Sequence, residues 1–355
     1  MLKKILFPAV LSGLILVGAG CVSVSSGPTG SGADGGVFKT VNKGDSWAQK
    51  NAIPSVGTDR PNINGANVAA IVPDPADPRA LYLGTAENGL WFSYDDADSW
   101  RQPNQVNRDS VLSIAVNPKN KCVIYATSQN KLVKSSDCAR TWEVKYLDPR
   151  SEKFTTAVLV DFYNPKIVWV ALSTGELLKS SDEAESWSPA YSFNGKQVVR
   201  LTASAEDSRR LYAALAKDGL WRSDDGGVTW KDLSPNYSRF AGSKDFKDMS
   251  LGVSDPKVIV TASQYGLLRS NDGGDTWESI DLLTPPNSTV IYSVAVDPKD
   301  PRNIYYGTAT TFYRTNNGGA NWVPKKLPTS RAATQLLVDR TNSSVIYMGT
   351  TKFKN

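Results

Sequence analysis

Two short apolar runs recur along the chain, close together and divided by a tight polar turn. "VLSIAVNP" (111–118) precedes "CVIYAT" (122–127), "VIYSVAVDP" (290–298) precedes "NIYYGT" (303–308), and "NVAAIVPDP" (67–75) precedes "ALYLGT" (80–85). The runs are rich in Val, Ile and Tyr. They are bounded by Asp74-Pro75, Asn117-Pro118 and Asp297-Pro298, so they predict short β-strands joined by turns. A third run, such as "GLWRS" (219–223) or "GLLRS" (266–270), predicts a third strand. A short fourth strand is expected to start at the tryptophan that follows it. No long 3.6-residue amphipathic pattern follows the first twenty residues, so very little helix is expected.

The segment between the third strand and the tryptophan is itself a repeat. It reads "TVNKGDSW" (40–47), "SYDDADSW" (93–100), "SSDCARTW" (135–142), "SSDEAESW" (180–187), "SDDGGVTW" (223–230), "SNDGGDTW" (270–277) and "TNNGGANW" (315–322). These seven copies end on Trp47, Trp100, Trp142, Trp187, Trp230, Trp277 and Trp322, spaced 53, 42, 45, 43, 47 and 45 residues apart. That period is the size of a four-stranded propeller blade. The first copy lacks a preceding strand pair. The last pair, "TQLLVD" (334–339) and "VIYMGT" (345–350), lacks a following copy. Joining them makes a seventh blade. The expected fold is all-β: one seven-bladed β-propeller of four-stranded antiparallel blades over 35–355, its last blade closed by both termini. A six-bladed ring with a loose extra unit is the alternative, and the matched half-blades argue against it.

The octapeptide resembles the Asp-box, or BNR repeat, Ser-x-Asp-x-Gly-x-Thr-Trp. Its polar third position is Asn42, Asp95, Asp137, Asp182, Asp225, Asp272 and Asn317. An oxygen there can accept backbone N–H groups of the hairpin, Gly at the fifth position permits positive φ, and the Trp packs across the hairpin. The replacement of Gly by Ala97, Ala139 and Ala184 predicts strained or differently shaped turns. Asn and Ala at these positions do not suit a metal loop, so no metal site is expected.

Composition narrows the chemistry. The chain of 355 residues has no histidine, which removes His-based triads, most catalytic zinc sites and the commonest general base. A net charge of +5 is too mild to indicate nucleic acid. No catalytic residue and no cofactor is assigned from the sequence. The N-terminus carries Lys3 and Lys4, then the apolar segment "ILFPAVLSGLILV" (5–17), then "GAGC". This resembles a bacterial lipoprotein signal, 1–20, which implies lipidation at Cys21 and an exported chain anchored on the extracytoplasmic side of a membrane. Gly18 stands where such signals usually have Leu. Residues 22–34, rich in Gly and Ser, read as a flexible linker.

Topology separates two faces. In a four-stranded meander the octapeptide turn shares a face with the turn between the first two strands. The opposite face carries the blade-to-blade connections (48–66, 101–109, 143–154, 188–197, 231–248, 278–289 and 323–332), which are all different. Variable loops on a rigid scaffold are where binding usually sits. The seven connections together carry +5, whereas the chain after Lys4 carries +3. The expected binding set on this face is Arg60, Arg101, Arg108, Lys145, Arg150, Tyr191, Tyr237, Arg239, Phe246 and Arg331.

Cys122 and Cys138 fall in adjacent strands. Pairing Thr127 with Leu132 puts Cys122 opposite Asp137, so a shift of one residue would join the sulfurs. An exported chain permits that disulfide.

The single seven-bladed domain, the lipoprotein-like start and the "GLLRSNDGGDTW" (266–277) style of repeat resemble the photosystem II stability/assembly factor-like group. That resemblance implies a non-enzymatic, monomeric assembly protein on a membrane surface that binds a protein partner or complex. The same repeat occurs in sortilin-type receptor domains, sialidases and xyloglucan-cleaving glycosidases. "DRPN" (59–62) is not the Arg-Ile-Pro segment of sialidases. The xyloglucanases resemble two propellers clasping substrate, one catalytic Asp from each. The alternatives are therefore a glycan-binding module or a glycoside hydrolase. The latter needs two facing carboxyls, drawn from Asp59, Asp109, Asp148, Glu152, Asp245 and Asp248.

Overall fold

The computed structural model describes residues 34–353. The lipoprotein-like signal, Cys21 and the linker through residue 33 lie outside the described residues. Seven antiparallel sheets follow one another. Blade one runs Val68–Pro73, Leu81–Thr85 and Leu90–Ser93. Blade two has inner strand Ile114–Val116, blade three Thr155–Val160 and blade four Val198–Ala203. Blade five has Phe246–Leu251, blade six Ser293–Val296 and blade seven Ala332–Val338. Six sheets have four strands. Blade one has three, and its fourth is reduced to a single bridge between Phe92 and Arg101. Blade seven combines Ala332–Val338 and Ile346–Thr351 with Gly36–Thr40 and Ala48–Gln49, so both ends of the described chain share one sheet. The described residues hold only two short 3-10 turns, Asn104–Val106 and Ser234–Tyr237.

The core is a ring of seven apolar clusters, each wedged between two successive blades. Val68, Leu81 and Leu83 of blade one meet Val37 and Tyr347 of blade seven. Tyr305 and Phe312 of blade six meet Ile346 and Met348 of blade seven. The second strand of each blade is buried on both faces, which explains its unbroken apolar run, as in Val168–Leu172.

The octapeptide turns tie this ring together. In each, the first-position hydroxyl donates to the third-position Asp or Asn, as from Ser223 to Asp225 at 2.8 Å. The same acceptor takes the seventh-position amide, Thr229, at 2.9 Å. Asn42 and Asn317 keep both contacts. The fourth and fifth positions both have positive φ, 74° and 85° at Gly226 and Gly227. Ala97, Ala139 and Ala184 keep the same shape at 67°, 64° and 75°, so these turns are strained rather than reshaped. The tryptophans do more than cover their own hairpins. Each joins the cluster shared with the preceding blade, and Trp100, Trp187 and Trp322 donate back to Lys50, Lys145 and Asp281 carbonyls at 2.7–2.9 Å.

Thr127 does face Leu132. The turn supplies the remaining shift: the Cys138 amide donates to the Cys122 carbonyl at 3.1 Å, and the two sulfurs are in bonding contact.

Candidate functional site

The two faces are arranged as the meander requires. Turn residues bond the loops between first and second strands, as Gly226 N–H to Arg209 O. On the other face, connections bond the loops between second and third strands, as Thr155 N–H to Gln129 O.

The residues named from the sequence on the connection face separate into three groups. Tyr237, Phe246 and Arg331 are buried, which corrects their assignment to a binding surface. The Tyr237 hydroxyl accepts the Leu220 amide at 2.8 Å and its ring packs on Trp277. Phe246 joins the cluster between blades four and five. Arg331 donates to the carbonyls of Gly65 and Ala66 and to Asn67, tying blade seven to the approach of blade one. Lys145 and Arg101 lie at outer blade edges: Lys145 is ion-paired with Glu185 and Glu143, and Arg101 continues the bridge to Phe92. Arg60, Arg108, Arg150, Tyr191 and Arg239 stay at the surface. Arg60 and Arg108 have no ion-pair partner among the described residues.

Two clefts open on this face. One, of about 480 Å³, is walled by Tyr146 and Tyr191 and lined by Arg150, Glu176 and Pro189. Arg150 is fixed there by Asp148 at 2.8 Å and Glu176 at 3.1 Å. Its hydrogen bonds hold the Asp148 carboxyl down to about 2, against the effect of burial. Burial and the neighbouring Asp148 push the Tyr146 hydroxyl up to about 12. The other cleft, of about 330 Å³, is lined by Tyr265, Leu282, Leu283, Pro285 and Pro286 of blade five. Beside it the Arg239 guanidinium lies 4.7 Å over the Phe240 ring, which packs 5.1 Å from Tyr265. Leu283 is exposed.

Four of the six candidate acids are engaged by neighbouring side chains. Asp59 and Glu152 are exposed in loops. Asp109 accepts Ser128 at 2.5 Å, Asp148 is held by Arg150, and Asp245 pairs with Lys247 at 3.1 Å. Asp248 is not a loop residue. It sits in the inner strand of blade five with its side chain 6% exposed and binds Arg200 of blade four at 2.6 Å. It also accepts the Val294 amide of blade six at 2.9 Å. Burial pushes its carboxyl up, against the pull of Arg200 and of the amides of Val294 and Met249.

The Arg200–Asp248 pair belongs to a third cavity that the sequence analysis missed. It occupies about 300 Å³ along the inner strands of blades four to seven. The signal was present in the repeats. Ala70, Ser113, Ala157, Arg200, Asp248, Ser293 and Gln335 occupy one equivalent inner-strand position. Six of them are paired with Gly84, Ala171, Ala214, Ala262, Gly307 and Gly349 of the second strands. Ser113 precedes the Ile114–Ala126 pair by one residue, which places it beside Thr127. Four of the seven are small, and the three large polar ones line the cavity.

No protein-family model and no curated protein matches the chain. Solved structures do. The fold is similar to the GH74 xyloglucanase from Xanthomonas campestris, with TM-score 0.66 and 15% identity over 81% of this chain and 51% of that one. A GH74 enzyme from Niastella koreensis gives TM-score 0.62 and 18% identity over 85% of this chain and 53% of that one. YCF48 bound to D1 peptide gives TM-score 0.62 and 12% identity, over 81% of this chain and 94% of that one. The chain spans about half the length of the two enzymes and nearly all of YCF48. At these identities the likeness is one of fold.

Proposed function

We propose that this protein is a non-enzymatic, monomeric propeller that binds a protein partner through its connection face, in the manner of an assembly or stability factor. In this reading the chain is exported and held at a membrane by lipidation of Cys21. The observation that carries it is the blade-five cluster. Arg239, Phe240 and Tyr265 form a packed group, with the two rings tilted against each other, beside an apolar cleft with an exposed Leu283. Arginine and aromatic side chains of this kind anchor protein interfaces. YCF48, which matches over nearly its whole length, was solved with a bound peptide.

Glycan binding or glycoside hydrolysis is the second reading. It is favoured by the likeness to GH74 enzymes and by the tyrosine walls of the Arg150 cleft. One experiment separates them. In-cell cross-linking of the full chain, followed by mass spectrometry, is run beside an Arg239→Glu/Leu283→Arg variant. Xyloglucan oligosaccharides are tested for binding and cleavage in parallel. A partner captured by the wild type and lost in the folded variant supports the interface. Equal capture removes it from the blade-five cluster. Oligosaccharide cleavage overturns the non-enzymatic reading.

A further inference from the structure

The cavity of Arg200 and Asp248 runs along the inner strands toward the octapeptide-turn face. Its lining begins at Arg200, Asp248 and Gln335. It ends at Ala205, Val253, Pro298 and Arg340, which lie in loops between first and second strands on the octapeptide-turn face. Its volume, about 300 Å³, is at the small end of ligand sites.

The polar groups in it are mostly donors. Arg200 is 39% exposed on its side chain and gives Nη2 to Asp248, leaving Nη1 and Nε without a partner among the described residues. The Gln335 amide and Thr202 hydroxyl also lack a partner among the described residues, as does the exposed Arg340. Asp248 is covered and already accepts Arg200 and two backbone amides. It therefore fixes Arg200 without offering an acceptor to the cavity. Two arginines against one aspartate leave the lining with one surplus positive charge. The remaining side chains of the lining, among them Ile71, Leu251 and Leu336, are apolar apart from Ser250, whose hydroxyl accepts the Val296 amide.

We propose that this cavity is a binding site for a carboxylate carried on a small apolar body. The carboxylate accepts from Arg200, in the oriented, charge-assisted geometry that guanidinium groups favour. Gln335 and Thr202 bond its remaining lone pairs. Arg340 stands at the mouth and attracts the anion. Asp248 is a positioning residue, because it holds Arg200 from behind. The site is independent of the connection-face reading and lies along the inner strands of blades four to seven.

The carboxylate can come from a free small molecule or from an acidic side chain of a partner, and both are tested on the full chain. Benzoate is titrated by ligand-observed NMR, with benzamide and benzyl alcohol as neutral isosteres. A capped tetrapeptide containing one glutamate is the second arm. Benzoate is expected to bind at least about tenfold more tightly than either isostere, the usual scale for a charge-assisted hydrogen bond. Tighter binding of the peptide than of benzoate assigns the carboxylate to a protein side chain, and the reverse assigns it to a free molecule. Arg200→Gln is expected to lose about tenfold in benzoate affinity. That change strands Asp248, so Gln335→Leu and Arg340→Gln, which leave the ion pair intact, are measured as well and are expected to show smaller losses. The proposal is overturned if neither carboxylate binds or if the isosteres bind equally well. It is also overturned if folded variants at 200, 335 and 340 all retain wild-type affinity.

Discussion

The two faces of the ring are built on opposite principles. On one, a single eight-residue turn is used seven times, with the same hydroxyl and amide bonds to an Asp or Asn side-chain oxygen and a tryptophan sealing each blade to its predecessor. On the other, seven unrelated loops differ in length, charge and burial. Repetition marks what every blade needs in order to close against its neighbour. A departure that changes the contacts made at a repeated position, rather than preserving them as Asn42 and Asn317 do, therefore points to chemistry. The cavity illustrates this. Its lining reaches the repetitive face, and its ion pair replaces residues that are alanine or serine in four other blades.

The strongest test of that contrast is Trp100→Ala. This side chain is fully buried between blades seven and one and donates to Lys50 O at 2.8 Å. Its loss is expected to cost ~3–5 kcal/mol. Arg60→Ala and Arg108→Ala in exposed connections are expected to stay within ~0.5 kcal/mol of wild type. Denaturant melts of the three variants read the difference. Comparable losses at all three positions would erase the distinction between the faces.

Next in size is Arg331→Ala, which divides the connection face itself. This arginine is buried and bonds Gly65, Ala66 and Asn67 across a blade boundary. Stranding those acceptors is expected to cost ~1–3 kcal/mol. A variant as stable as Arg108→Ala would show that Arg331 is a surface residue, as its position in a basic loop suggests.

That residue shows where sequence reading stops. The ring was legible because every blade repeats the same apolar runs, and a packing requirement met seven times leaves a period in the chain. The disulfide partners were legible to within one residue because strand register is local. The sorting of the basic loops was not. Arg331 and Arg60 are both arginines in polar segments, and only the path of the neighbouring backbone decides that one donates inward. Tyr237 was placed among recognition residues for its type, but a buried amide of Leu220 claims its hydroxyl. The cavity was missed for a different reason. Loop variability is the louder signal, while the informative variation lies inside the inner strands at Arg200, Asp248 and Gln335.

A third comparison lies within the repeated turn. Gly227 and Ala184 occupy the same fifth position with φ of 85° and 75°. A Cβ on Gly227 would approach Trp169 Cη2 to 2.6 Å. Gly227→Ala is therefore expected to cost ~1–3 kcal/mol, from overpacking and left-handed strain together. At Ala184 the methyl group is already buried in the cluster between blades two and three. Ala184→Gly relieves strain but loses that contact, so a change within ~1 kcal/mol is expected. Thermal melts of the pair decide whether the blades share one turn with different neighbours. Equal and opposite shifts would mean that backbone strain alone governs the position.

The smallest expected effect concerns charge in the same turns. The Thr141 hydroxyl and amide hold Asp137 down to about 2, and the equivalent bonds from Ser186 and Thr229 do the same for Asp182 and Asp225. These carboxyls titrate lower in the folded chain than in the unfolded one. Their contribution is therefore present above pH ~4 and is lost as pH falls toward ~2. Asp182 and Asp225 are exposed to solvent and Asp137 is half-buried, so each loss should be small. Asn42 and Asn317 show what remains without the charge: each oxygen still accepts the first hydroxyl and the seventh amide. In Asn42 the amide nitrogen donates to Ser46, reversing the bond that Ser99 or Thr141 makes to an aspartate. Asp225→Asn is accordingly expected to fold at neutral pH with near wild-type stability and to show a shallower decline between pH ~4 and ~2. An unchanged acid profile would mean that the turn depends on the shape of its acceptor and not on its charge, and the two asparagine turns would then be equivalent to the other five.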